Sequence, residues 1–106
     1  MNQPSFPVLA EQTLEDIQER LEALDALEDA DFDLIDGVLT IEFDDGRTLV
    51  LNRQEAQQQI WLVSPEGPAH FSRADARWVD DRTGEDLMQV LSRVLGRITG
   101  RPVALD

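Results

Sequence analysis

Carboxylate side chains dominate the first part of this sequence. Fourteen of the 22 Asp and Glu residues precede Arg47, and Arg20 is the only basic residue in the same stretch. The formal net charge of −13 therefore arises in this stretch, because acids and Arg balance from Arg47 onward. Carboxylate oxygens suit hard cations such as Fe3+, Ca2+, Mg2+ or Mn2+, and suit Fe2+ less strongly. Such a one-sided charge indicates a surface that meets cations or a basic partner.

These acids are placed so that a helix and the strand after it could present them on one edge. The carboxylates concerned are Glu11, Glu15, Glu19, Glu22, Asp25, Glu28, Asp29, Asp31 and Asp33. The segment from Asp29 to Asp33 lacks the Gly and the terminal Glu of a calcium loop. Metal binding on such an open stripe would be weak and poorly selective. A solvated acidic face without a ligand is the alternative that composition leaves open.

The elements that must position these residues follow from periodicity. Residues 7 to about 27 have apolar positions at helical spacing, with a carboxylate stripe roughly a third of a turn away. Short strands are predicted near residues 31–36, 38–43, 47–52, 59–63, 69–71 and 77–80, and a tight hairpin turn is predicted at Asp44-Asp45-Gly46. A second amphipathic helix is predicted to begin near Thr83, which could cap it, and to end at Gly100.

This order predicts an α+β fold. Strands joined by tight turns favour an antiparallel sheet, and both terminal helices must bury their apolar stripes against one face of it. We therefore expect a two-layer sandwich, forming a single domain over residues 1–106.

A tryptophan is predicted on the open face of that sheet. If Ile60 and Leu62 face the helices, alternation places Trp61 on the opposite side. Polar side chains are close to it in sequence: Asn52, Arg53, Gln54, Gln57, Gln58 and Gln59. An exposed Trp among such residues is typical of a protein-binding hot spot. A Trp61 covered by a loop or lying in the core is the alternative, whereas Trp78 is interpreted as core or as a loop anchor.

Several other functional classes are disfavoured. His70 is the only His, and it is interpreted as structural. No nucleophile elbow or phosphate-binding loop is present, so we expect no enzymatic activity. The acidic half would repel nucleic acid, and no apolar run is long enough to span a membrane. The chain has no Cys and no recognisable targeting segment, which favours the bacterial cytoplasm.

The sequence resembles bacterial frataxins of the CyaY type along nearly its whole length. The main motif is Asn52-Arg53-Gln54-x4-Gln59-Ile60-Trp61-Leu62-x-Ser64-Pro65-x-Gly67-Pro68, followed by Phe71 and Trp78. Residues 37–41 and 81–85 also fit the family, and the acids occur where frataxins have an acidic ridge. Gln18 and Ala23 stand where relatives often have acids, which thins the ridge.

The resemblance implies a modulator of iron–sulfur cluster assembly that binds Fe2+ and Fe3+ weakly. It implies metal binding by Glu11, Glu15, Glu19, Glu22, Asp25, Asp29, Asp31 and Asp33. It also implies docking on the cysteine desulfurase and the scaffold protein, for which the expected contact residues are Asn52, Arg53, Gln54, Gln59 and Trp61. We expect a monomer in the absence of iron. The alternatives are a ferroxidase or iron-storage protein, and an acidic adaptor whose metal binding is incidental.

Overall fold

The computed structural model describes residues 5–105, so the predicted domain's ends at residues 1–4 and 106 lie outside the described part. Within it, the chain begins and ends with a helix and has a run of strands between them. The elements are α1 (Phe6–Glu22), β1 (Asp31–Ile35), β2 (Val38–Glu42), β3 (Thr48–Gln54), β4 (Gln59–Ser64), β5 (Gly67–Ala74), β6 (Arg77–Asp80) and α2 (Leu87–Thr99).

The strands form an antiparallel sheet in chain order, β1-β2-β3-β4-β5-β6. Alternate residues of β2, β3 and β4 are buried, as Ile60 and Leu62 are in β4. Together with Phe71 of β5 they share one hydrophobic core with the buried stripes of α1 and α2. Both helices therefore cover the same face of the sheet. No element of the described part of the chain covers the other face, which is called the open face below. The predicted α+β two-layer sandwich is confirmed.

Two turns at the β1 side of the sheet depend on positive backbone φ angles. Asp36 (φ 51°) and Gly37 (φ 77°) join β1 to β2 in a two-residue turn, which the sequence reasoning did not identify. The predicted turn between β2 and β3 is present, and there Gly46 (φ 90°) takes the positive angle. A hydrogen bond from the Arg47 side chain lowers the pKa of the Asp45 carboxyl, so this acid stays ionised and its negative charge is paired with Arg47.

The predicted end of the first helix and the predicted start of the second were wrong. α1 ends at Glu22 instead of near residue 27, because Leu24 is extended (φ −92°, ψ 129°), and a short 3-10 helix follows at Asp25–Leu27. α2 begins at Leu87, with Asp86 rather than Thr83 as its N-cap, and Asp86 accepts a hydrogen bond from the Met88 N–H.

The residues between β6 and α2 are held in a turn by Asp80. The buried Asp80 carboxylate accepts hydrogen bonds from the backbone N–H groups of Arg82 and Thr83 at 2.7 and 3.1 Å. A backbone bridge between Val79 and Asp86 closes the turn against β6. Because of these contacts, α2 begins one turn later in the sequence than predicted. The predicted C-terminal stop is confirmed, since Gly100 adopts a left-handed conformation (φ 69°).

Candidate metal-binding and docking surfaces

The acidic stripe of α1 consists of Glu11, Glu15, Glu19 and Glu22. On one side of the helix, Thr13 accepts a hydrogen bond from the Trp78 indole and Arg20 donates one to the Leu105 carbonyl. The acidic stripe lies on the other side of α1, towards the hairpin between β1 and β2, where Glu11 is 3.6 Å from Arg53. Glu15, Glu19 and Glu22 are exposed. The stripe therefore runs along the β1 side of the molecule.

The other four predicted ligands continue this surface around the end of α1 and the β1 edge. Asp25 lies in the 3-10 helix rather than on the longer first helix that was predicted, and Asp29 lies in the connection that follows. Asp31 and Asp33 are exposed on the open face of β1, opposite in direction to the half-buried Phe32. The structure thus brings all eight residues to one side of the molecule, but it spreads them over both layers.

The predicted ligands do not converge on a single point. Within residues 5–105, no group of three or more His, Cys, Asp or Glu side chains is arranged to hold a metal ion. Two local ion pairs affect this region: Glu11 with Arg53, and Asp16 with Arg20 at 3.0 Å. Among the described residues, the other seven predicted ligands take part in no ion pair. This surface is an array of exposed negative charge and not a preformed cage.

The sequence reasoning missed one carboxylate of this surface. Glu42 is exposed and lies directly opposite Asp31 in the register of β1 and β2. With Asp33 it borders a shallow cavity of about 240 Å3 on the open face, and two threonines complete its polar lining. The full lining is Asp31, Phe32, Asp33, Thr40, Glu42 and Thr48. The register of the hairpin, once its turn is placed at Asp36-Gly37, would have paired Glu42 with Asp31.

Trp61 lies on the open face, as alternation predicts. Its neighbours in β4, Ile60 and Leu62, are buried, while Trp61 is half-buried. Asn52 on β3 and His70 on β5 are its partners in the sheet register. The indole stacks on the His70 ring with 4.4 Å between centroids and an interplanar angle of 27°. The lone histidine therefore supports the tryptophan from one side, in keeping with its interpretation as structural.

Side-chain amides fix the surroundings of Trp61. The indole N–H donates to Gln59 Oε1 at 2.8 Å, and the Gln59 amide in turn donates to Ser72 and Asp81 at 3.1 Å each. On the other side, Gln54 donates to Asn52 Oδ1 at 3.0 Å. We call Asn52, Gln54, Gln59, Trp61 and His70 the docking patch. These contacts hold its members in place, which would reduce the entropy lost if a partner bound there.

Exposed apolar side chains extend the docking patch across the open face. Ile35 is 60% exposed and Val63 is 56% exposed. Ile35 belongs to the same cross-strand row as Asn52 and Trp61, since Ile35 pairs with Val38 and Val38 pairs with Asn52. The open face therefore combines apolar contact area with oriented amides, the composition expected of a protein interface.

Arg53 is separated from the other four predicted contact residues. Alternation along β3 directs Asn52 and Gln54 to the open face and Arg53 to the helix side. There its guanidinium lies over Gly37, so closely that a Cβ at Gly37 would be 2.9 Å from it. Arg53 also contacts Glu11 and Glu55 at 3.6 and 3.3 Å. In this position it joins α1 to the β1–β2 hairpin and does not belong to the docking patch.

Comparisons with known proteins agree with the fold and the motif. A family model described as a frataxin-like domain matches residues 1–101. The iron–sulfur cluster assembly protein CyaY of Thioalkalivibrio sulfidiphilus (strain HL-EbGR7) is 58% identical over 95% of this chain and 96% of its own length. Among solved structures, frataxin from Psychromonas ingrahamii has a TM-score of 0.84 and 32% identity, covering 98% of this chain and 97% of its own.

A eukaryotic structure also matches. Trimeric frataxin from the yeast Saccharomyces cerevisiae, in a ferrous complex, has a TM-score of 0.77 and 31% identity, covering 95% of this chain and 91% of its own. The chain therefore belongs to the frataxin family, as a bacterial member of the CyaY type. No helix in residues 5–105 is both long enough and apolar enough to cross a membrane.

Proposed function

We propose that this chain is a non-enzymatic, iron-binding modulator of iron–sulfur cluster assembly in the bacterial cytoplasm. The observation that carries the proposal is the pairing of two surfaces in one frataxin domain. One is the surface of exposed carboxylates on α1 and β1, and the other is the preorganised docking patch on the open face. The name of the 58% identical relative, an iron–sulfur cluster assembly protein, supports the pathway, and the ferrous complex of the yeast frataxin supports the metal.

The geometry favours weak and exchangeable iron binding. Exposed carboxylates offer the hard oxygen ligands that Fe3+ prefers and that Fe2+ accepts. Because the described carboxylates form no cage, an ion would keep part of its water shell and would leave readily. Such binding suits a protein that senses iron or hands it on. It does not suit storage.

The same carboxylates would also attract a basic surface of the cysteine desulfurase, while the docking patch contacts the desulfurase and the scaffold protein. Charge on an exposed surface mainly accelerates association, and the aromatic centre of an interface mainly slows dissociation. The two surfaces thus have separate roles in one proposed complex.

Iron titration followed by NMR tests the metal-binding part. We expect added Fe2+ or Fe3+ to broaden backbone signals of α1, residues 25–29 and β1, and to leave α2 unchanged, because the excess charge lies before Arg47. Zn2+ at the same concentration controls for general effects of a divalent cation. Broadening centred on His70 would overturn the carboxylate assignment.

Charge reversal tests the electrostatic part of docking. The variant Glu19→Lys with Glu22→Lys should bind the desulfurase about tenfold more slowly, because steering by a charged surface changes association rates by this order or more. Raising the salt concentration should weaken the wild-type complex in the same way, since the Debye length is about 8–10 Å near physiological salt.

A matched control carries the same change in net charge on the α2 side, where Glu66 and Glu85 pair with Arg97 and Arg93. The variant Glu66→Lys with Glu85→Lys should retain most of the association rate. A dissociation constant that is independent of salt, or equal losses in the two variants, would refute electrostatic docking through α1.

Ferroxidase or iron-storage activity is the rival function. Ferroxidase centres use Glu and His ligands that project into a helix bundle, whereas the only histidine here stacks on Trp61 on the open face. Rapid oxygen consumption on adding Fe2+, together with assembly into larger particles, would favour this rival. Partner binding that persists unchanged after chelation of iron would instead favour an acidic adaptor.

A further inference from the structure

The free edge of β1 combines unpaired backbone groups with a particular side-chain pattern. Among residues 5–105, β1 is the outermost strand of the sheet and pairs only with β2. The two-residue turn at Asp36-Gly37 makes Ile35 and Val38 a hydrogen-bonded pair, and such pairs recur at every second residue. Phe32 and Leu34 lie between these pairs, so their N–H and C=O groups point away from β2 towards the free edge. An edge of this kind is a template for another strand.

The side chains along this edge alternate between acidic and apolar. Asp31 and Asp33 are exposed on the open face, where Glu42 adds a third carboxylate beside Asp31. On the helix side, Phe32 and Leu34 are only half-buried and pack against the core from its margin. The acidic stripe of α1 borders the same side of the molecule. An added strand would therefore meet negative charge on one face and incompletely buried apolar surface on the other.

This pattern specifies the chemistry of a partner. A segment with acidic or neutral side chains opposite Asp31 and Asp33 would be repelled or left unpaired, so the edge does not pair with a second copy of itself. A segment that alternates basic and apolar residues would pair its basic side chains with Asp31 and Asp33. Its apolar side chains would complete the burial of Phe32 and Leu34. Charge complementarity and backbone pairing favour the same occupant, as in other cases of strand addition.

We propose that the β1 edge binds an extended segment of alternating basic and apolar residues as an antiparallel seventh strand of the sheet. The site shares Asp31 and Asp33 with the proposed iron-binding surface, but it requires no iron. It is also distinct from the docking patch, which uses side chains at the centre of the open face.

The test uses the full chain and a fluorescent eight-residue peptide of alternating Arg and Val. We expect the peptide to bind, and amide hydrogen exchange to slow at Phe32 and Leu34. The decisive control is the same peptide with its valine amides N-methylated, which keeps the charge and the side chains but removes the donors that face β1. This control should bind about tenfold more weakly, or worse, because several backbone hydrogen bonds are lost.

A protein variant tests the charge complementarity. Asp31→Asn with Asp33→Asn should weaken binding of the unmodified peptide several-fold. Asp44→Asn with Asp75→Asn removes the same charge at exposed turn positions and should leave the affinity nearly unchanged. Equal affinity for the methylated and unmethylated peptides, or slowed exchange at residues other than those of β1, would overturn strand addition. Because no iron is present, these results and the iron titration can fail independently of each other.

Discussion

Replacing Trp78 with alanine should lower the free energy of unfolding by about 3–5 kcal/mol, the usual cost of truncating a large buried aromatic side chain. Trp78 is only 4% exposed, it meets the Phe6 ring edge-on at 5.9 Å between centroids, and its indole N–H donates to Thr13 at 2.9 Å. Trp78 thereby joins β6 to the first two turns of α1. A loss of this size is a large part of the total stability of about 5–15 kcal/mol that is typical of single domains.

Urea unfolding followed by far-UV circular dichroism measures this effect. Trp78→Phe is the matched control, because it keeps most of the packing and removes the hydrogen bond to Thr13. The control should lose less, on the order of 1 kcal/mol for the hydrogen bond together with a smaller cavity. A Trp78→Ala variant as stable as the wild type would contradict the position of Trp78 in the core.

Replacing Trp61 with alanine should instead reduce the affinity for the partner more than it reduces the folding stability. We expect the affinity for the desulfurase–scaffold complex to fall by about 2 kcal/mol or more, which corresponds to about thirtyfold, as for a tryptophan at an interface hot spot. The loss of folding stability should be much smaller than for Trp78→Ala. Trp61 is half-buried, and its contacts are the His70 ring and Gln59, both on the open face and outside the core.

Two variants sharpen the comparison at Trp61. Trp61→Phe keeps an aromatic ring against His70 but removes the N–H donor, so it should retain more of the affinity than Trp61→Ala. Val63→Ala, which truncates a neighbouring exposed side chain of the same strand, measures the effect of apolar area alone. A Trp61→Ala variant that unfolds readily, yet binds normally while folded, would remove Trp61 from the docking patch.

Alternation along single strands could be predicted from the sequence. Ile60 and Leu62 flank Trp61, so a period of two residues fixed which face each of them occupies, and the structure agrees. The same rule would have placed Arg53 on the helix side, because Asn52 and Gln54 flank it. The predicted contact set includes Arg53 because Arg53 is close to the other members in sequence, but proximity in sequence does not indicate which face of a strand a residue occupies.

Features that depend on tertiary contacts could not be predicted. Several residues from Thr83 to Asp86 are chemically able to cap a helix, and the choice of Asp86 rests on the buried Asp80 carboxylate and on the bridge from Val79. The end of α1 carries no Gly or Pro, and it is set by the extended conformation of Leu24. Glu42 could be assigned to the carboxylate surface only from the strand register, because its neighbour Asp31 is eleven positions away in sequence.

We propose that this chain modulates iron–sulfur cluster assembly in an iron-dependent way, through its carboxylate surface. Turnover of the cysteine desulfurase with the scaffold present, measured with and without Fe2+, tests it most directly. We expect the wild-type chain to change the turnover rate more strongly when Fe2+ is present, and the variant Glu19→Lys with Glu22→Lys to lose most of that difference. Turnover that responds equally to the chain with and without Fe2+ would contradict an iron-dependent role.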